Sequence, residues 1–374
     1  MRVVIDISQI AYPGGVGVYT RNLVLNLLKI DKSSTYCLFG LSLRNKNIFE
    51  DFYRKLLNNE NINRSNLEKK FYSLPVSLGE ILFNRLRLPI EVFTEKADVF
   101  HSSDWTEPKS KAFKITTVHD LAPLIYSKLH HPKIVKVFKR KLKLVKKESN
   151  IIIAVSKNTK KDLIKRLGIK EKRIRVIYEG LNNNFLKAKA DLDFVKKLNL
   201  KKFIVSDAIK NPRKNLKNLV KAFEKIEDND LFLVLFGQPL WAKEKQSSII
   251  KQSNKKDKII VLDYLSAGQL KALYQKSLGA VFPSFYEGFG LSLLEAMSVG
   301  CPVVAANTSS LPEVTGEAGI LVNPHKAEDI KRGIKRILED KTKKEELIKS
   351  GFKQINKFSW EKTAEQTLKI YRSI

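Results

Sequence analysis

The chain is poor in cysteine, with only Cys37 and Cys301 among 374 residues. That argues against a disulfide-stapled scaffold and against a metal site built on paired thiolates. The cytosol is therefore the expected compartment. Long apolar runs are also missing. No stretch reaches the ~18 uninterrupted apolar residues of a membrane span. The N-terminal MRVVIDISQI passes directly into a strand pattern, without a basic segment followed by an apolar one, so no signal peptide is expected. Acidic residues are scarce beside basic ones: 39 Asp and Glu face 69 Lys and Arg, for a formal net charge of +30. Such an excess attracts nucleic acid, anionic lipid or phosphorylated substrates. Compositional drift toward lysine is the plainer source of part of it.

What is present is ample apolar material, 43% of residues, with 29% charged residues spread along the whole chain. That composition folds, and the length suits two domains, each with its own core. Short apolar, β-branched runs alternate with longer amphipathic stretches. The first half offers strands at 2–6, 36–40, 98–102, 114–120, 151–156 and 173–180. The second offers 202–207, 231–237, 258–263, 279–284, 301–307 and 319–324. Continuous rather than alternating apolar runs fit strands buried on both faces of parallel sheets. The expected fold class is α/β, with two doubly wound Rossmann-like domains facing across a cleft. The expected division is 1–190 and 200–355, with polar 181–202 as the linker. A C-terminal helix within 356–374 is expected to pack back on the first domain. Ser359 reads as its N-cap, and Trp360, Ala364, Leu368 and Tyr371 as its apolar face.

The segment FPSFYEGFGLSLLEAMSVGCPVVAA (282–306) carries the clearest chemistry. A strand ends near Pro283, a glycine-bearing loop follows, and a helix begins. Glycines let backbone amides approach a ligand, and a helix N-terminus presents N–H groups and a positive dipole end. Glu287 in the loop and Glu295 on the helix are carboxylates suited to vicinal hydroxyls. A plain strand–loop–helix with two solvated glutamates is the competing reading.

The run resembles the Glu-x7-Glu signature of glycosyltransferase family 4, a retaining family with the GT-B fold. The resemblance implies that Glu287 contacts the donor sugar and Glu295 the nucleotide ribose. Gly288, Phe289, Gly290 and Leu291 would then place amides near sugar and phosphate. Further matches follow in order along nearly the whole chain. NPRKNLKNLVKAF (211–223) is similar to the basic donor-phosphate motif, mapped here on Arg213 and Lys214. DISQIAYPGGVGVYTRNLV (6–24) is similar to the glycine loop of the first domain, with Gly14, Gly15 and Gly17 as donor-side residues. TTVHDLAPL (116–124) places His119 close to the transferred sugar. DVFHSSDW (98–105) puts His101 at a strand end. His101 and Asp120 are candidate acceptor-side residues, with packing the equal alternative for His101. In SSLPEVTGEAG (309–319), Ser309, Ser310 and Leu311 are candidates for phosphate or base contact. Two departures stand out. Asp207-Ala208 replaces the glycine usual before the Arg-Lys motif, and Glu179-Gly180 replaces a usual Asn-Gly, a change expected to touch only a turn.

The resemblance implies hexose transfer with retention from a nucleotide-diphosphate sugar, GDP-mannose or UDP-glucose leading, to a glycan or lipid-linked acceptor in polysaccharide or glycolipid synthesis. A double displacement needs a carboxylate nucleophile at the anomeric carbon, and none is supplied. Same-face attack is expected instead, with the leaving diphosphate taking the acceptor proton. Arg213 and Lys214 would stabilise the developing charge. No metal and no separate cofactor are expected, since no Asp-x-Asp triplet stands in a suitable loop. The stretch 127–149 holds nine Lys or Arg and one Glu, with Ile134, Phe138, Leu142 and Val145 on one helical face. It reads as a domain helix whose lysines can dock on an anionic membrane from the cytoplasmic side. Nucleic acid is not expected as a partner, because aromatics do not interleave with the basic residues. A basic nucleic-acid-binding protein and an inactive sugar-nucleotide-binding scaffold are the alternative readings.

Overall fold

The computed structural model describes residues 1–12, 14–102, 104–237 and 243–374. Pro13 of the glycine loop and Ser103 of DVFHSSDW lie outside the described residues. The chain divides into two compact units, residues 1–180 with 359–374 and residues 181–358.

The first unit is built on seven strands: β1 (Arg2–Asp6), β2 (Thr35–Leu41), β3 (Leu67–Tyr72), β4 (Val99–Ser102), β5 (Phe113–Val118), β6 (Ile151–Ala154) and β7 (Ile174–Val176). They pair in the order β3-β2-β1-β4-β5-β6-β7. Every pairing is parallel, as in Val4 opposite Cys37 and Ile5 opposite His101. β2 is buried at every position but its first, as expected of a strand covered by helices on both faces. The edge strand β3, LEKKFY, is absent from the strands expected above. Charged side chains blunt an edge against further pairing, and they also erase the apolar run that marks a strand.

The second unit repeats the plan with six strands: β8 (Lys202–Ser206), β9 (Leu231–Phe236), β10 (Ile259–Leu262), β11 (Ala280–Phe282), β12 (Val303–Ala306) and β13 (Gly319–Val322). Their order is β10-β9-β8-β11-β12-β13, again all parallel. Its core joins strand residues such as Ile204, Leu233 and Val304 to helix residues such as Leu219, Phe223 and Ile334. In each sheet the strand order reverses beside the first strand, between β1 and β4 and between β8 and β11. The crevice at the carboxyl ends of those strands is where an open α/β sheet takes its ligand.

The expected linker is corrected by the structure. Two short helices, Asn183–Lys187 and Leu192–Lys197, occupy it. Asn182 and Asp191 cap them by accepting from the amides of Asn184 and Phe194. Phe185 and Val195 are buried, and Phe185 meets the Tyr274 ring edge-on at 6.2 Å. The segment belongs to the second unit, and the boundary falls after Gly180. An added Cβ at Gly180 would lie 2.4 Å from the Trp360 nitrogen, so only glycine lets the C-terminal helix Trp360–Tyr371 start there. Ser359 caps that helix. Its buried Trp360, Ala364 and Tyr371 seal it to the first unit, where the Trp360 ring lies 5.7 Å from that of Tyr19.

Candidate active site

At the β8/β11 switch point the chain gathers charge. After β8 the tight turn Pro212–Lys214 is capped by Asn211, which accepts from the Arg213 amide at 3.0 Å. Asn215 then adopts a left-handed φ of 67°. It is held there by its side-chain amide, which donates to the carbonyls of Pro283 at 2.9 Å and Pro324 at 2.7 Å. This lock aims Arg213 and Lys214 at the loop that follows β11.

Arg213 Nη1 donates to Glu287 Oε2 at 2.7 Å and to the Tyr286 carbonyl at 2.5 Å. Lys214 Nζ donates to Glu287 Oε1 at 3.0 Å and to Asp207 Oδ2 at 2.8 Å. Ser284 adds a hydroxyl to Glu287 Oε1 at 2.8 Å. Burial would raise the Glu287 carboxyl, but Arg213 and Lys214 outweigh it and hold it at about 2. Burial likewise opposes the charge on Lys214, while Asp207 and Glu287 raise its pKa above the ordinary value. The cluster is therefore ionised at neutral pH. Both oxygens of Glu287 are occupied by cations and a hydroxyl, so it orders Arg213 and Lys214 as much as it offers acceptors to a ligand.

The glycine loop is tied down from behind. Ser309 Oγ accepts from the Glu287 amide at 2.9 Å. Ser310 Oγ donates to the carbonyls of Glu287 and Phe289 at 2.9 and 2.8 Å. Ser310 and Leu311 are buried, so both support the loop and neither is displayed to a ligand, against expectation. The Phe289 ring is likewise core, edge-on to Phe358 at 5.5 Å. Gly290, at φ 120°, is the N-cap of the helix Leu291–Ser298, and no side chain caps that end. Its first-turn amides and dipole suit an anion. On the next turn, Glu295 Oε1 accepts from Asn182 at 3.3 Å. Burial raises its carboxyl to about 7, the opposite of Glu287.

The first unit's switch point is furnished differently. His101 is 3% exposed. Its ring nitrogens hydrogen-bond Tyr371 Oη at 2.6 Å and Thr117 Oγ1 at 2.8 Å. Burial pushes it down to about 3, with His119 and Lys141 adding to the effect, so the ring is neutral. His101 ties the C-terminal helix to the sheet, and its acceptor-side assignment is corrected to packing. Asp120 accepts from the Ala122 amide at 2.7 Å and so starts the short helix Ala122–Ile125. The structure gives it that helix-starting role.

His119 packs edge-on against Tyr19 at 4.7 Å, and its Nδ1 donates to Glu179 Oε1 at 3.1 Å. Burial opposes protonation, yet Glu179 raises the histidine above its ordinary value. The Glu179 departure therefore reaches beyond a turn, because it orients His119 and raises its pKa. Gly14, at φ 138°, is the N-cap of the helix Gly15–Ile30, and a Cβ built there would meet nothing within 4 Å. At Gly17 a Cβ would lie 2.9 Å from the Tyr12 carbonyl, so that glycine serves close helix packing.

Sequence relationships agree with this geometry. Residues 13–185 match the model of Glycosyltransferase Family 4, and residues 189–354 that of Glycosyl transferases group 1. The chain belongs to glycosyltransferase family 4. This glycosyltransferase is 28% identical to O-antigen chain mannosyltransferase B of Escherichia coli, over 73% of its own length and 74% of the relative's. It is 29% identical to the serotype-specific mannosyltransferase WbdA of E. coli, over 67% of its own length and only 32% of that longer protein. The fold is GT-B. Sucrose-phosphate synthase from Thermosynechococcus elongatus superposes with a TM-score of 0.76 at 19% identity, covering 99% of this chain and 98% of that one. Anabaena HepE in complex with UDP-glucose gives 0.71 at 15%, with full coverage of both chains.

Proposed function

We propose that this glycosyltransferase moves a hexose, with retention, from a nucleotide-diphosphate sugar to a glycan or lipid-linked acceptor in cell-surface polysaccharide synthesis. The observation that carries the reading is the ionised Arg213–Glu287–Lys214–Asp207 cluster beside an uncapped helix N-terminus. Two cations and a dipole end converge there, as a diphosphate leaving group requires. The mannosyltransferase relatives favour GDP-mannose as donor, and the UDP-glucose complex of HepE keeps UDP-glucose second.

Mechanistically, Glu287 is a poor nucleophile, since both its oxygens are engaged and its pKa of about 2 marks a strongly stabilised carboxylate. Same-face attack fits better. The anomeric C–O bond to the diphosphate breaks as the acceptor oxygen bonds to the same face, and the acceptor proton passes to the departing diphosphate. Arg213 and Lys214 neutralise the charge that develops, and no metal is needed for that task. Glu295 accepts from the ribose hydroxyls, and His119 hydrogen-bonds the transferred sugar. The test is donor consumption across a panel of GDP- and UDP-sugars with purified enzyme. Turnover or hydrolysis of one donor is expected. Failure to bind or consume any of them sinks the reading and leaves the scaffold or nucleic-acid alternatives.

The partner surface follows from charge. Residues 109–175 hold 21 Lys and Arg against four acids. They include the helices Pro132–Glu148 and Lys157–Leu167, whose apolar sides share one core with β6 and β7. Lys133, Lys136, Lys139, Lys143, Lys146 and Lys147 remain exposed on the first of these. The helical turn Glu80–Arg85, tied to that helix by Arg140–Glu80, adds Ile81, and its C-cap adds Leu86, 38% and 65% exposed. Among the described residues no helix is long and apolar enough to cross a membrane; on its charge and exposed apolar residues we assign this face to peripheral docking on anionic lipid. Each lysine near such a surface contributes about 1 kcal/mol. Triple reversal of Lys136, Lys139 and Lys143 to Glu should therefore lower binding to phosphatidylglycerol vesicles by on the order of a hundredfold or more. Unchanged flotation removes the assignment.

A further inference from the structure

β8 ends at Ser206, and the next residues are Asp207-Ala208, in place of the expected glycine. Asp207 is 2% exposed and sits at the switch point. Its Oδ2 accepts from Lys214 Nζ at 2.8 Å and from Ser292 Oγ at 3.1 Å, and lies 3.7 Å from Lys210 Nζ. Those three groups come from three elements: the turn Pro212–Lys214, the first turn of the helix Leu291–Ser298, and the turn Ala208–Lys210. A carboxylate buried this deeply is costly unless cations and donors surround it. Here one oxygen gathers all of them.

We infer that Asp207 is a positioning residue for the donor diphosphate, fixing the Lys214 ammonium against the first turn of the helix Leu291–Ser298 so that both grip one ligand. The inference rests on the nucleotide-diphosphate reading of the site. Its logic is electrostatic. Burial and Arg213 both disfavour the Lys214 charge, while Asp207 and Glu287 sustain it. Asp207 itself faces Lys210, Lys214 and Glu287, and Glu295 feels both Asp207 and Lys210. Without Asp207, Lys214 keeps only Glu287, which it shares with Arg213. The ammonium then loses both its anchor and part of its reason to stay charged.

The test is binding of inorganic pyrophosphate by calorimetry from pH 7 to 11, on the full chain, with circular dichroism at each pH. Wild type should bind and Lys214→Ala should not. If wild type does not bind, the diphosphate reading falls and this inference with it. Given binding, Asp207→Asn should weaken it about tenfold at pH 7 and bring its alkaline loss down by about one pH unit. Ser292→Ala should weaken binding while leaving the alkaline loss in place. Asp207→Asn combined with Lys214→Arg should abolish the downward shift, because a guanidinium stays charged throughout. Should Asp207→Asn not fold, Asp207→Ser carries the same expectation. An unmoved alkaline limb, or tighter binding across the range, overturns the inference and makes Asp207 a mere counter-charge.

Discussion

Both sheets reverse direction beside their first strand, yet they furnish that crevice in opposite ways. Beside β8 and β11, Asp207 and Glu287 hold Arg213 and Lys214 in an ion-pair cluster with contacts of 2.7–3.0 Å. Beside β1 and β4, a neutral relay runs from Tyr371 through His101 and Thr117 to Tyr19, with contacts of 2.6–3.0 Å. Neither His101 nor Glu287 titrates near neutral pH, but the causes differ. Burial strips His101 of its proton, whereas cations keep Glu287 from gaining one. Topology thus supplies the place, and the side chains on the following loops decide whether it gathers charge or braces the fold.

Substitution at the two places should break them apart most visibly. Lys214→Ala removes a cation proposed to stabilise the developing charge, and Glu287→Ala removes the carboxylate that orders both cations; turnover should fall on the order of 10²–10³-fold in each. Leaving the partners of a buried pair uncompensated also costs up to ~3–5 kcal/mol, so folding must be checked by denaturant titration. His101→Asn should instead cost about 1–3 kcal/mol of stability through lost buried hydrogen bonds, with a far smaller effect on turnover. Near wild-type transfer by a folded Lys214→Ala or Glu287→Ala protein would remove that residue from the mechanism.

The contrast also runs within one segment, since Glu287 sits at about 2 and Glu295 at about 7. For Glu295 the native carboxyl keeps its proton above the ordinary value of 4.5. Between about pH 4.5 and 7 the unfolded chain therefore holds fewer protons, and stability falls as pH rises through that window. The loss is at most about 3–4 kcal/mol. Glu295→Gln cannot ionise, so its melting temperature should gain on wild type from pH 4.5 to 7 and then stay level. Parallel pH profiles for the two proteins would refute the raised carboxyl. On the proposed reading ribose hydroxyls donate to Glu295 and favour its charged form, so nucleotide binding near pH 7 should release part of a proton to the buffer.

Much of this is legible in the sequence because it is local. Apolar runs mark every strand except β3, whose Glu68, Lys69 and Lys70 disguise it as a loop. Arg213, Lys214, Glu287 and Glu295 stand in contiguous motifs. What stays hidden depends on partners distant in the chain. Asp207 meets Ser292 across 85 positions, and Glu179 meets His119 across 60. Asn215 locks its turn on carbonyls of Pro283 and Pro324. A strand-end histidine reads the same whether it faces ligand or core, and only Tyr371 beside His101 decides between the two.

The smallest effect is also the sharpest test of the comparison, because it concerns the one charged pair described at the neutral switch point. Glu179 raises His119 above its ordinary 6.5 against the opposing influence of burial. Below that ordinary value the imidazolium–carboxylate pair contributes fully to the stability of the first unit. The contribution is lost as pH rises through the raised folded value. It amounts to about 1.4 kcal/mol for each pH unit that separates the folded and unfolded titrations. Glu179→Gln preserves shape and an acceptor but removes the charge, so burial should then prevail and the His119 titration should fall. The Hε1 resonance of His119, followed by NMR from pH 5 to 9, reads this directly. A fall turns the first switch point wholly neutral, and any accompanying loss of transfer between pH 6 and 7 assigns the His119 charge to the reaction. An unchanged titration means that Glu179 only fills the turn, as its sequence position first implied.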